Sequence, residues 1–271
     1  ISAVEAARED GRQAAAALVE KIRTKAGQNH VPVIGITGTG GAGKSSLTDE
    51  LVVRLRHDHP DLDLAIICCD PSRRKTGGAL LGDRIRMNAI DSPRVYMRSM
   101  ATRSSHTELS KAMRDAIDVA KAAGFDLVIA ETAGIVQGDS QIVDLCDVSI
   151  YLMTSDFGAA SQLEKIDMLD LADLVVVNKY EKQGSEDAVR DVRKQVQRNR
   201  NLFELPAEKM PVFGTIASKF NDDGVTALYH AVIERMTEKT GTQIDSKLPI
   251  GDSPLSSSKT IIIPPERTRY L

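Results

Sequence analysis

The chain has 271 residues, with 35 Lys and Arg against 38 Asp and Glu, a formal charge of −3. Such near balance excludes a global electrostatic grip on nucleic acid, which needs a basic excess. A hydrophobic share of 42% excludes an acidic disordered chain and is enough to bury a core. No run of about eighteen apolar residues occurs, so neither nucleic acid nor a membrane is among the expected partners.

The start, Ile1-Ser2-Ala3, carries no initiator Met and no signal-peptide pattern. It reads as the edge of a piece of a longer or processed chain. From Ala3 to about Lys25 the sequence is Ala-rich, and Val4, Leu18, Val19 and Ile22 fall on helical spacing among charges, so a surface helix is expected. Gly27 and Pro32 break it. Apolar, β-rich runs follow at Val33–Thr37, Leu64–Cys69, Leu127–Ala130, Val148–Leu152 and Leu174–Val177. Most are apolar throughout, as strands covered on both faces should be. Helical stretches lie between them, at Lys44 to Arg56, Thr107 to Ala123, Ser161 to Leu171 and Glu186 to Arg200. A short strand from Pro211 to Ile216 and a helix from Val225 to about Glu238 close the pattern. Strand–helix alternation predicts an α/β fold with a mostly parallel sheet flanked by helices, three layers in α/β/α order.

This divides the chain into an N-terminal helix and linker (1–30), an α/β domain (31–239) and a Ser/Thr/Lys/Pro-rich C-terminal linker (240–271). Cys68 and Cys69 are adjacent in an apolar run, and the third cysteine leaves an odd number. Without C-x-x-C spacing they read as buried strand thiols in a reducing compartment, so a cytoplasmic protein is expected.

Gly38-Thr39-Gly40-Gly41-Ala42-Gly43-Lys44-Ser45 matches G-x-x-x-x-G-K-[ST], follows a predicted strand and opens a predicted helix. The loop from Gly40 to Gly43 turns backbone amides inward around a β-phosphate, and the helix N-terminus adds partial positive charge. Lys44 reaches the β/γ oxygens and the Ser45 hydroxyl is placed to ligate Mg²⁺. Asp70 ends the second strand and Glu131 the third, at the sheet edge that carries Gly38; two acids beside a phosphate loop read as metal or water ligands. Asp83 follows in a loop that could fold over the same metal, although spacing alone favours a solvated acid.

Asn178-Lys179-Tyr180-Glu181 ends the run from Leu174 and resembles the N-K-x-D element of GTP-binding proteins. There a carboxylate accepts from the guanine N1–H and exocyclic amine, a donor pair that adenine lacks. Here Glu181 replaces Asp, which keeps the carboxylate and lengthens its reach. Ala217-Ser218-Lys219 resembles the S-A-K loop that contacts the guanine O6 side, with Ser218 and Lys219 as the contacting residues. GTP and GDP are therefore the expected ligands.

These blocks, with Asp70-Pro71-Ser72, Thr76-Gly77-Gly78, Leu81–Met87 and Glu131-Thr132-Ala133-Gly134-Ile135-Val136-Gln137, occur in one order. Together they resemble the G-protein chaperones of adenosylcobalamin-dependent acyl-CoA mutases, the methylmalonyl-CoA mutase accessory GTPases, from about Val31 to Glu238. Nearer still is the G-domain of fused isobutyryl-CoA mutases, and the tail Pro264 to Leu271 resembles the join into the mutase part. Neither the cobalamin-binding D-x-H-x-x-G signature nor a barrel is present, so mutase chemistry is not expected of this chain.

The resemblance implies that Ser45, Asp70, Asp83, Glu131 and Thr132 gather around Mg²⁺ and that Arg86 approaches the nucleotide. Gln137 would lie where a switch answers the γ-phosphate. Ser155 to Lys165 aligns with a third moving segment of that family, in which Lys165 matches a charge-stabilising finger. Catalysis would then fall to Lys44, Gln137 and Lys165. The implied partners are an adenosylcobalamin-dependent acyl-CoA mutase and its cobalamin-binding domain, adenosylcobalamin itself entering only through them; a homodimer is the expected assembly. The departures from the family pattern are Glu181, which bears on base choice, and Ala133, which bears on local packing.

The expected mechanism is in-line attack of water on the γ-phosphate of GTP, with loops around Asp70 to Arg86 and after Glu131 gated by that phosphate. Two alternatives stand beside it. A nickel-delivering GTPase would need ligands from His57-Asp58-His59-Pro60-Asp61 with Cys68 and Cys69, whose spacing reads better as a polar loop and buried strand thiols. A nucleotide-sensing or dimerisation module without catalysis is the other.

Overall fold

The structure, a computed structural model, describes residues 13–28, 30–71, 87–102, 106–132, 139–157, 160–249 and 253–256, together with 1, 134 and 251. Helix α1 (Gln13–Gln28) precedes strand β1 (Val33–Gly38), helix α2 (Lys44–Asp58) and strands β2 (Leu64–Pro71) and β3 (Val95–Thr102). Helix α3 (His106–Ala123), β4 (Leu127–Glu131) and β5 (Val148–Met153) follow, then the short helices α4 (Ala160–Leu163) and α5 (Met168–Leu171). The remaining elements are β6 (Leu174–Asn178), α6 (Ser185–Asn199), β7 (Val212–Thr215) and α7 (Asp223–Thr240).

The seven strands form one sheet in the order β3-β2-β4-β1-β5-β6-β7, and every pairing is parallel. Successive side chains of a strand point to opposite faces, and here both faces are covered. Ile34, Ile36, Ile66, Ile129 and Val176 pack on one face against Leu47, Leu51 and Leu55 of α2 and Leu228, Val232 and Met236 of α7. Val33, Ile67, Val128 and Val175 pack on the other against Met113 and Ile117 of α3 and Val189, Val192 and Val196 of α6. This double cover is why the strand sequences are apolar at every position rather than at alternate ones. Each fully buried Leu or Ile contributes roughly 2 kcal/mol, so the three layers are held mainly by these stacks. Cys68 and Cys69 are both buried, one on each face. Cys146 lies over Gly35, where any side chain would collide with its sulfur. Burial first, then the charges of Asp173 and Asp147, push the Cys146 thiol up to about 12, so it stays protonated at neutral pH.

Three differences from the sequence expectation have physical causes. Strand β3 was not anticipated: Val95–Thr102 reads VYMRSMAT, with Arg98 and Ser99 amid apolar residues. Among the described strands it pairs only with β2, at the sheet edge, so it does not need the unbroken apolar run of a central one. The helix expected over Ser161 to Leu171 is broken into α4 and α5, with turn bonds from the Lys165 and Ile166 amides to the Gln162 and Leu163 carbonyls. Leu163, Met168 and Leu169 all bury in one cluster. On an unbroken helix they would point in widely different directions at about 100° per residue.

The third difference concerns the linker expected from residue 240 onward, whose first part returns to the domain. Ile244 is buried in the α2/α7 cluster. The Ser246 hydroxyl and the Lys247 amide donate to Asp58 Oδ2 at 3.0 Å. Further on, Leu255 forms a parallel bridge with Gly214 at the outer edge of β7. Residues 257–271 lie outside the described part, as does the stretch around Val4.

Candidate functional site

In the strand order, β1 lies between β4 and β5; the chain leaving β1 runs to β2 on one side, while the chain leaving β4 runs to β5 on the other. A crevice therefore opens at the carboxyl ends of β1 and β4, where ligands bind in open α/β sheets. Gly38 ends β1 with φ 145°, and a Cβ there would stand 1.9 Å from the Leu152 carbonyl oxygen. Only glycine permits the approach, and the Thr39 amide then donates to that carbonyl at 3.0 Å. The loop closes with the Ala42 amide on the Thr39 carbonyl, and Gly43, at φ 93°, enters α2 in the left-handed region. The first amides of α2 have no carbonyls within the helix to receive them, so their partial positive charge faces the loop.

Lys44 is 7% exposed, and its ammonium donates to the carbonyls of Gly38 and Thr39, both at 3.2 Å. The neighbouring Thr39 hydroxyl is buried and has no hydrogen-bond partner among the described residues. A buried cation, an unpartnered hydroxyl and a helix head around one loop suit a polyanion. Gly134, just past β4, presses on the same loop: a Cβ there would lie 2.3 Å from both the Gly38 carbonyl oxygen and the Lys44 nitrogen.

Ile36 of β1 lies opposite Glu131 of β4, which brings the carboxylate to the start of α2. The Ser45 hydroxyl donates to Glu131 Oε1 at 2.7 Å and the Thr48 hydroxyl to Oε2 at 2.8 Å, with Glu131 only 5% exposed. Thr132 holds Thr37 through a 2.7 Å contact between hydroxyls. Cys68 of β2 lies opposite Glu131, so the Asp70 backbone runs out at the same edge of the sheet; its side chain lies outside the described part. Hard oxygen donors of this kind suit Mg²⁺. Thr48 was missed from the sequence, although its position three residues after Ser45 put it on the same face of the helix. Asp83, Arg86, Gln137 and Ala133 lie outside the described residues.

On the far side of the loop, Asn178 is 3% exposed. Its amide nitrogen donates to the Ala42 carbonyl at 2.7 Å, while its oxygen accepts from the Thr215 hydroxyl at 3.0 Å and the Ala217 amide at 3.1 Å. One side chain thus joins the phosphate loop, β7 and the Ala217-Ser218-Lys219 turn. Lys179 has φ 59°, which turns the backbone outward at the strand end. Glu181 and Ser218 are exposed and Lys219 is half-buried, a placement open to a planar base. Lys165 stands exposed in the turn between α4 and α5.

The alternative nickel ligands are not brought together. His57 pairs with Asp58 at 3.0 Å, His59 with the Asp245 carbonyl at 2.6 Å, and the two cysteines face opposite layers. Among the described residues there is no group of three or more His, Cys, Asp or Glu suited to a metal ion.

A parallel sheet with a glycine-rich loop and lysine between its central strand and the next helix defines a P-loop NTPase. A solved LAO/AO transport system kinase shares this fold at a TM-score of 0.58 and 24% identity, over 84% of this chain and 65% of that one. Residues 1–248 match the family described as methylmalonyl Co-A mutase-associated GTPase MeaB, and the chain belongs to that family. It is 58% identical over 263 residues to a fused isobutyryl-CoA mutase of Geobacillus kaustophilus, covering 97% of this chain and 24% of that protein. To the fused isobutyryl-CoA mutase of Cupriavidus metallidurans it is 56% identical over 255 residues, 94% of this chain and 23% of that protein. The chain thus spans about a quarter of the length of these relatives. Among the described residues no helix is long and apolar enough to cross a membrane.

Proposed function

We propose that this chain binds and hydrolyses GTP with Mg²⁺ at the P-loop, and that it acts as a G-protein chaperone gating the loading, protection or repair of adenosylcobalamin in an acyl-CoA mutase. The mutase is isobutyryl-CoA mutase, carried in the same polypeptide, with residues 31–239 and the returning segment packed on them as the GTPase domain, and the remaining tail as the link towards the mutase. The protein is a cytoplasmic homodimer whose partners are the mutase and its cobalamin-binding domain, not nucleic acid or a membrane. The observation that carries the reading is the contact of Ser45 with Glu131 at 2.7 Å beside the buried Lys44 ammonium.

In this reading the loop amides and Lys44 hold the β- and γ-phosphates, and the charge that develops during in-line attack by water spreads onto them. Ser45, Glu131, Thr132, Asp70 and Asp83 would hold Mg²⁺, which when bound neutralises charge on the phosphate oxygens. Arg86, Gln137 and Lys165 act on the nucleotide when their segments close over it, and no strong general base is needed for a slow switch. Asn178, Lys179, Glu181, Ser218 and Lys219 read guanine. To meet a phosphate, Lys44 leaves the carbonyls of Gly38 and Thr39. Gly134 lies against that ammonium, so phosphate occupancy passes directly to the chain after Glu131.

The test is phosphate release from GTP and from ATP by this chain, with Mg²⁺ or with EDTA, alone and with excess isobutyryl-CoA mutase. Mg²⁺-dependent release from GTP but not ATP, faster with mutase, is expected. Binding of GTP without release under any of these conditions would leave a sensing module in place of a GTPase.

A further inference from the structure

The turn that reads the base in the proposal above is held from behind by the returning tail. The Asp222 carboxylate is fully buried. Its Oδ2 accepts from the Ile216 amide at 3.1 Å, from the Val225 amide at 3.0 Å and from the Ser256 hydroxyl at 2.6 Å. Among the described residues its other oxygen has no hydrogen-bond partner, so the carboxyl group rests on those three donors. Ile216 immediately precedes Ala217, whose amide donates to Asn178 at the head of the base-reading element. Ser256 is thereby linked to the nucleotide site through one carboxylate and one turn.

Space for the tail is built into the domain. A Cβ on Gly224 would stand 2.0 Å from the Gly214 carbonyl oxygen and 2.8 Å from both the Ser256 amide nitrogen and its hydroxyl. A Cβ on Gly214 would meet the Tyr180 ring at 2.7 Å and Leu255 at 3.1 Å. The gap left by these two glycines lets Leu255 lie beside the tyrosine of the Asn178-Lys179-Tyr180-Glu181 element. Main-chain bonds fix it there, from the Gly214 amide to the Pro254 carbonyl at 3.2 Å and from the Ser256 amide to the Gly214 carbonyl at 2.9 Å.

We infer that Pro254–Ser256 form a latch for the base site, with Ser256 and Asp222 as positioning residues for the nucleotide base. This rests on the guanine reading of Asn178 and Ala217-Ser218-Lys219. Coupling between two sites is reciprocal. If the latch orders the base turn, a bound base must tighten the latch, and the tail at Ser256 then carries information about the nucleotide.

The experiment compares GDP with tripolyphosphate, which fills the phosphate loop and leaves the base site empty. In the unaltered chain, hydrogen exchange at the Ser256 amide should slow about fivefold or more with GDP and remain unchanged with tripolyphosphate. Ser256→Ala should weaken GDP about tenfold and leave tripolyphosphate affinity as it was. Equal protection by both ligands, or equal weakening of both, would reduce Ser256 to a general stabiliser and overturn the latch. Tripolyphosphate binding without GDP binding in the unaltered chain would overturn the guanine reading itself, and the latch with it.

Discussion

The Asn178 side chain reaches the phosphate loop and donates to the Ala42 carbonyl at 2.7 Å, so the residue that opens the base-reading element also braces that loop. A Cβ on Gly43 would stand 2.6 Å from that same amide nitrogen, so the loop glycine and the asparagine fit each other. Asn178→Ala would strand the Ala42 carbonyl, the Thr215 hydroxyl and the Ala217 amide in a buried place. We expect a loss of about 3 kcal/mol in urea unfolding, with weaker GDP binding. A loss confined to nucleotide affinity would mean that the brace carries no structural load.

Lys44 donates to carbonyls of its own loop, and its ammonium is buried beside them. Lys44→Ala should lower phosphate release about a hundredfold or more and leave the folded state in place, since three-layer packing does not involve the ammonium. Phosphate release and a thermal melt on the same sample check both halves.

Glu131 organises two hydroxyls, Ser45 at 2.7 Å and Thr48 at 2.8 Å. Glu131→Gln would replace one acceptor oxygen by a donor and remove the charge. The Mg²⁺ concentration for half-maximal hydrolysis should rise about tenfold or more. Thr48→Val, which removes only the second, buried hydroxyl, should produce a smaller shift in the same titration.

Glu181 is exposed beside Asn178, so its removal should cost little stability. A carboxylate accepting from two guanine donors separates GTP from ATP by about tenfold or more. Glu181→Ala should erase that margin in a competition assay with both nucleotides.

Asp58 gives a pH prediction away from the nucleotide. Burial pushes its carboxyl up, but hydrogen bonds from His57, the Lys247 amide, Ser246 and Tyr229 outweigh this and hold it below the ordinary carboxylate value. A group depressed on folding stabilises the fold above its unfolded pKa, near 3.9 for an aspartate. That contribution is lost as the pH falls through the lower, folded value. Urea unfolding of the parent should therefore weaken between pH 5 and pH 3, and Asp58→Asn should flatten that part of the profile.

The phosphate loop, the strand-end position of Glu131 and the strand–helix alternation were legible because each rests on local spacing. Glycines at Gly38 and Gly43 and apolar runs such as Leu174–Val177 announce their geometry in a few consecutive residues. The edge strand from Val95 was not legible, because a strand covered by one neighbour tolerates Arg98 and Ser99. The bracing role of Asn178 was hidden behind its motif: its sequence context speaks of a base, while its partners Ala42 and Ala217 come from distant segments. Asp222 and Ser256 were illegible for the same reason. A Ser- and Pro-rich tail looks like a solvated tether until Gly214 and Gly224 are seen to make room for it.

The parallel order of the sheet also bears on how the domain is made. The central strand β1 takes both its neighbours from β4 and β5, with Ile36 opposite Glu131 and Gly38 opposite Leu152. Contacts so distant along the chain form late and slow folding. During synthesis, the Thr39 amide has no Leu152 carbonyl to receive it until the ribosome has delivered β5. A nascent chain shorter than that should be blind to nucleotide, and the first grip on GTP would mark the moment when the middle of the sheet closes.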